Sequence, residues 1–173
     1  MSELNKFEAT VASWYKNAPH LPKNGQTWLA NNVWWLALVG LILGGMAVLG
    51  TILFSFLMGA ALVALGGPYG AVAGSVGILV TFVVLAFSIV SLVLMGLAIP
   101  GLKARVKKGW TLLFWVVLIN VFALALDFLF TFNLLGLVWG LLAAGVGTYF
   151  LFEIRSYFGE QHTAKKPATA INK

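Results

Sequence analysis

Cysteine is absent from the chain, and only 9% of its 173 residues are charged. The first absence excludes disulfides, thiolate metal sites and S-acylation. The second excludes water as the main solvent, because soluble domains of this size carry about 25% charged residues. Acids are scarcest, with five Asp and Glu against eleven Lys and Arg. Only two histidines occur, His20 and His162, both outside the apolar region. That excludes a membrane haem held by two histidines and a clustered intramembrane metal site. No G-x-x-x-x-G-K-[ST], H-E-x-x-H or G-x-S-x-G motif is present, and no two carboxylates share a face. The expectation is a chain without enzyme activity, cofactor, metal or nucleic-acid partner.

Hydrophobic residues make up 61% of the sequence, in uninterrupted runs from Val33 almost to Phe152. Several runs are long enough for a hydrocarbon core of about 30 Å. They do not alternate with polar residues, so barrel strands are excluded. Breaks at G-G-P-Y-G (66–70), P-G-L-K-A-R-V-K-K-G (100–109) and T-F-N (131–133) divide the region into four. The reading is an all-α integral membrane protein: a four-transmembrane-helix bundle with spans near 32–57, 71–99, 110–130 and 134–152. Pro100 and Gly101 are expected to end the second span. The first hairpin is too long for a simple crossing and is expected to reach further outward than the second.

Every Lys and Arg falls before the first span, between spans two and three, or after span four. With four spans these segments share one side, which the positive-inside rule makes cytoplasmic. The start of the chain shows no cationic leader and no small-residue cleavage site, so no signal peptide is expected to be removed. A bacterial plasma (inner) membrane suits this layout. Trp34, Trp35 and Trp110 at inner helix ends, and Trp139 near an outer end, read as interface anchors.

Residues 1–31 hold Leu4, Phe7, Val11 and Trp14 at helical spacing, predicting an amphipathic helix in the interface plane with its apolar face towards lipid. Thr27 is the expected cap of the first long helix. Lys103, Arg105, Lys107 and Lys108 form a short acid-free segment suited to anionic lipid headgroups. Glu153 and Arg155 are expected to anchor the end of span four and pair with that segment. Residues 156–173 are polar and small-residue-rich, the composition of a disordered tail.

Small residues recur on three spans: Gly40 and Gly44; Gly70, Gly74 and Gly77; Gly136 and Gly140. Such spacing lets helix backbones approach closely where lipid supplies no hydrophobic drive. Span three has no glycine after Trp110 but carries Asn120, Asp127 and Thr131 on one face. Asp127 should lie about 6–9 Å below the turn at Asn133, where a carboxylate costs less than at the midplane. With Thr81, Ser88 and Ser91 of span two, these residues are the candidate polar contacts or pathway. Asn120 is expected to bond across helices. Two functions fit. One is a non-catalytic subunit that packs against other membrane proteins or organises a membrane assembly; the expected partners are the lipid bilayer and another membrane protein, or a homo-oligomer. The other is a small oligomeric channel or carrier using the Asn120/Asp127 face.

Overall fold

A computed structural model describes residues 3–159. Among these the chain forms five α-helices and no strand: α1 (Glu3–Trp14), α2 (Lys23–Leu65), α3 (Gly67–Lys103), α4 (Lys107–Thr131) and α5 (Leu134–Glu153). A 3-10 turn, Arg155–Tyr157, follows. Helices α2 to α5 are each long and apolar enough to cross a membrane. The protein is an all-α integral membrane bundle, as the composition requires.

The two hairpins are unequal. Helix α2 has 43 residues, about 65 Å at 1.5 Å per residue, and α4 has 25, about 38 Å. The long hairpin turns through Gly66 alone, with Gly67 at φ +56°, a conformation that side chains disfavour. Gly70 then lies so near the Leu62 carbonyl that a Cβ would collide with backbone. Thr131, the last residue of α4, lines a cavity with Ala73 and Gly77 of α3. Residues 67–72 therefore project past the α4–α5 turn by about 9 Å at the same rise.

The helices pack in chain order: α2 on α3, α3 on α4, α4 on α5. The layer does not close on itself through α2 and α5 by any comparable contact. Its ends are set by backbone chemistry. Helix α3 runs past Pro100 to Lys103, one turn beyond the expected stop: proline lacks a donor but keeps its carbonyl, which accepts from the Ala104 amide at 3.0 Å. There Arg105 takes a left-handed φ of 53°, the Arg105 amide donates to Leu102 O at 3.1 Å, and the Val106 amide donates to Gly101 O at 2.9 Å. This is a Schellman end with arginine where glycine is usual. Helix α4 ends at left-handed Phe132, and Asn133 caps α5 by accepting from the Gly136 amide at 2.9 Å. Thr27 caps nothing; α2 starts earlier, and the Thr27 hydroxyl donates to Lys23 O within the helix at 2.9 Å.

The core sits at one end, among Val11, Ala30, Val33, Ala98, Leu102, Trp110, Phe114, Leu151, Ile154 and Phe158. Every Lys and Arg of the described residues lies at this basic end. Trp110, read from sequence as an interface anchor, is wholly buried, and its Nε1–H donates to Leu151 O at 2.8 Å. It stacks on Phe114 and meets Phe152 edge-on, with ring centroids 5.5 Å apart in both pairs. Trp35 and Trp139 remain exposed.

The stretch from α1 to the start of α2 straps this end. Helix α1 turns Val11 and Glu8 into protein rather than lipid; Glu8 is 1% exposed. Its carboxylate accepts from Arg155 Nε at 2.6 Å. Tyr15 O–H donates to Gly145 O at 3.2 Å, and Tyr149 O–H to Pro19 O at 2.5 Å. Glu153 accepts from the Leu21 amide at 3.1 Å and Gln26 Nε2 at 2.9 Å, with His20 Nδ1 at 2.6 Å. A carboxylate from the last span thus holds the entry to α2, through the Leu21 amide ahead of the helix and the Gln26 side chain in its first turn, while the turn's own amides have no side-chain cap. Glu153 and Arg155 pair with the N-terminal segment, not with the loop between α3 and α4. Phe158 is 3% exposed, so the packed region extends beyond 156; the rest of the expected disordered tail, 160–173, lies outside the described residues.

Candidate functional site

Because α2 and α4 both lean on α3 without closing over it, a trough remains with α3 as floor. Its inner part, 240 Å³, is lined by Gly40, Gly44, Ser88, Ser91 and Asn120 among others. Its distal part, 560 Å³, is lined by Gly77, Thr81, Asp127, Phe130 and Thr131. Thr51 and Val84 border both, so the two form one strip along the helices. All six candidate polar residues fall on it: Ser88, Ser91 and Asn120 in the inner part, Thr81, Asp127 and Thr131 in the distal part.

The chemistry of the strip follows from helices in an apolar medium. A hydroxyl there finds its acceptor one turn back on its own helix. Thr51 donates to Ala47 O, Thr81 to Gly77 O, Ser88 to Val84 O and Thr131 to Asp127 O, all at 2.9 Å. Asn120 behaves alike: its Nδ2 donates to Val116 O at 2.9 Å, so the expected cross-helix bond gives way to one within α4. These protons are used internally, and lone pairs are what the trough displays.

Two groups stand apart. Ser91 is 5% exposed, and its hydroxyl has no hydrogen-bond partner. Asp127 is half-buried, and its carboxylate has neither hydrogen bond nor ion pair among the described residues. The neighbouring Thr hydroxyls do not donate to that carboxylate, since their protons go to their own helices.

The small residues divide by use. Gly44 and Gly140 admit Leu92 and Leu124 so closely that an added Cβ would stand 2.8 and 2.6 Å from them. Gly40 meets Met95, and Gly74 meets the Gly59 carbonyl, both at ordinary contact distance. Gly136 abuts its own cap, Asn133, and Gly77 faces open space in the trough. The backbone approach of Gly101 to Gly109, between α3 and α4, was not among the sequence candidates; their spacing belongs to no single-helix repeat. Lys103 sits over the Trp34 ring at 5.4 Å, while Arg105 makes the α3–α4 turn and Lys107 and Lys108 are exposed.

A second groove, on α2 and α3 alone, is lined by Ile52, Phe56, Ile78, Phe82 and Ile89 and carries no ionisable group. At the basic end a 300 Å³ hollow beside Lys16, His20 and Ser156 is bordered by the Glu153 and Arg155 contacts described above. No family model matches the chain, and no curated protein or solved structure is similar to it.

Proposed function

We infer that this chain is a non-catalytic, multi-pass component of a membrane assembly, and that the trough on α3 is where another protein's helix rests. One observation carries the reading: a laterally open trough, walled by small residues, holds an unpartnered carboxylate and an unpartnered buried hydroxyl. Polar groups at membrane depth are costly when unsatisfied, and interhelical contacts are the usual remedy. The gathering of all described cations at one end supports cytoplasmic termini, and the layout suits a bacterial plasma membrane. Lys103, Arg105, Lys107 and Lys108 then meet anionic headgroups.

The alternative, an oligomeric channel or carrier along the Asn120/Asp127 strip, has the polar lining in its favour. Against it, a solute moving inward from Ser91 meets the packed Trp110, Phe114 and Leu102 core. The test is the native mass of protein extracted gently from its own membranes, with co-purifying chains identified. A different protein in fixed stoichiometry is the expected result. A lone homo-oligomer, with liposome flux lost in Asp127→Asn, would replace this reading with transport.

A further inference from the structure

Among the described residues Asp127 carries the only formal charge in the distal half of the bundle, and none of them balances it. All Lys and Arg of the described residues lie at the opposite end. A second copy in the same orientation brings none to this level, and pairing two troughs would set carboxylate against carboxylate, which disfavours both charges. The neighbouring groups sharpen the demand. Thr51, Thr81 and Thr131 have given their protons to their own helices and can only accept further bonds; Thr81 has the Ser55 hydroxyl at 3.3 Å, and Thr131 accepts from the Asn133 amide at 3.3 Å. The distal trough therefore calls for a donor, and for a cation above all. Nearer the basic end the demand reverses. Ser91 holds a hydroxyl proton with no acceptor, beside Asn120, whose amide has one proton and its oxygen to spare.

Resting on the component reading above, we propose that the trough is occupied by a transmembrane helix of a different protein, which places a lysine or arginine against Asp127. The same helix sets a hydrogen-bonding residue about 10 Å closer to the basic end, two turns along, opposite Ser91 and Asn120. The space suits this occupant. The distal cavity, 560 Å³, exceeds the bulk of either cationic side chain. The inner one, 240 Å³, is edged by Gly40 and Gly44, so a backbone can come close there.

Phe130 lines the distal cavity and is mostly exposed, so benzoylphenylalanine, larger by one benzoyl group, can stand in its place as a photo-probe. Leu142, exposed on α5 and outside both cavities, is the control position. Irradiated in native membranes, the Phe130 probe should join a different protein, and the adduct should map within one turn of a lysine or arginine in a membrane span. Asp127→Asn should lower the yield by about thirtyfold or more, as loss of one partner of a desolvated charge pair does. Asp127→Glu should retain it. Asp127→Lys should recover the yield when the partner's cation is exchanged for aspartate. Should Asp127→Asn fail to accumulate, replacing the partner's cation with glutamine gives the same reading. A joined helix without a basic residue, or a yield unchanged in Asp127→Asn, would overturn the cation and leave the component reading in place. Adducts with a second copy or with lipid alone, or no protein adduct from either position, would overturn the proposal. A lone homo-oligomer in the native mass would remove the component reading as well.

Discussion

Glu8 and Arg155 are the pair on which the basic end depends most directly. The carboxylate is almost fully enclosed, while the guanidinium is partly exposed and lies 5.9 Å from the centre of the Trp110 ring. Removing only the cation strands a buried charge, which is worse than removing both charges. Arg155→Gln should therefore lower stability in detergent by about 3 kcal/mol, read as an earlier melting midpoint. Glu8→Gln combined with Arg155→Gln should regain most of the loss. A double variant no more stable than the single one would show that packing around Trp110, and not charge, makes the contact. None of this was visible from residue types. Arg155 and Glu153 follow an apolar run and read as boundary charges, yet their partners lie 147 and 133 residues away. Trp110 presents the same difficulty. An indole near a helix end has an apolar body and one polar tip, and both a headgroup region and a protein core with a free carbonyl satisfy it.

Helices are where sequence and structure agree best, and the reason is physical. Apolar runs, glycine–proline breaks and cationic segments each act locally, so four spans, the tight turn at Asn133 and the longer first hairpin were all readable. The direction of α1 was not. Its apolar stripe specifies an apolar surrounding, and lipid and bundle interior both provide one. Pro100 misled in the other direction: the helix continues one turn past it to Lys103 and is closed by the bonds of the Arg105 and Val106 amides. The crossing of α3 and α4 rests on Gly101 and Gly109, where a Cβ on either would strike the other's backbone rather than a movable side chain. Gly109→Val should part these helices and cost about 3 kcal/mol. Gly145→Ala, with open space beside it, should be close to neutral. Thermal unfolding of both variants in one detergent checks the contrast, and equal midpoints would mean that the crossing yields more readily than its backbone contacts imply.

Taken whole, the molecule is a layer of helices fastened at one end and parted at the other. That polarity makes its orientation measurable without disturbing it, since the chain has no cysteine of its own. Single cysteines at Ala104 and at Tyr69, both exposed, should react with an impermeant thiol reagent from opposite sides of sealed membranes. Labelling of Tyr69→Cys from outside intact cells, and of Ala104→Cys only after lysis, is the outcome expected for cytoplasmic termini. The reverse pattern would place the trough's open end on the cytoplasmic side and alter which partners can reach it.

The carboxylate that holds the entry to α2 belongs to the final span, and this has a consequence for how the protein is made. Chains emerge from the ribosome at about 5–20 residues per second, so the strap waits several seconds for Glu153 to appear. Throughout that interval α1 has no Arg155 to hold Glu8, and the core around Val11 lacks Leu151, Ile154 and Phe158. The nascent protein must therefore keep its first segment unlatched while two hairpins enter the bilayer. Only the end of α5 and the turn that follows it draw it shut. Emergence of Glu153 and Arg155, rather than insertion of any earlier span, is the event that latches this end.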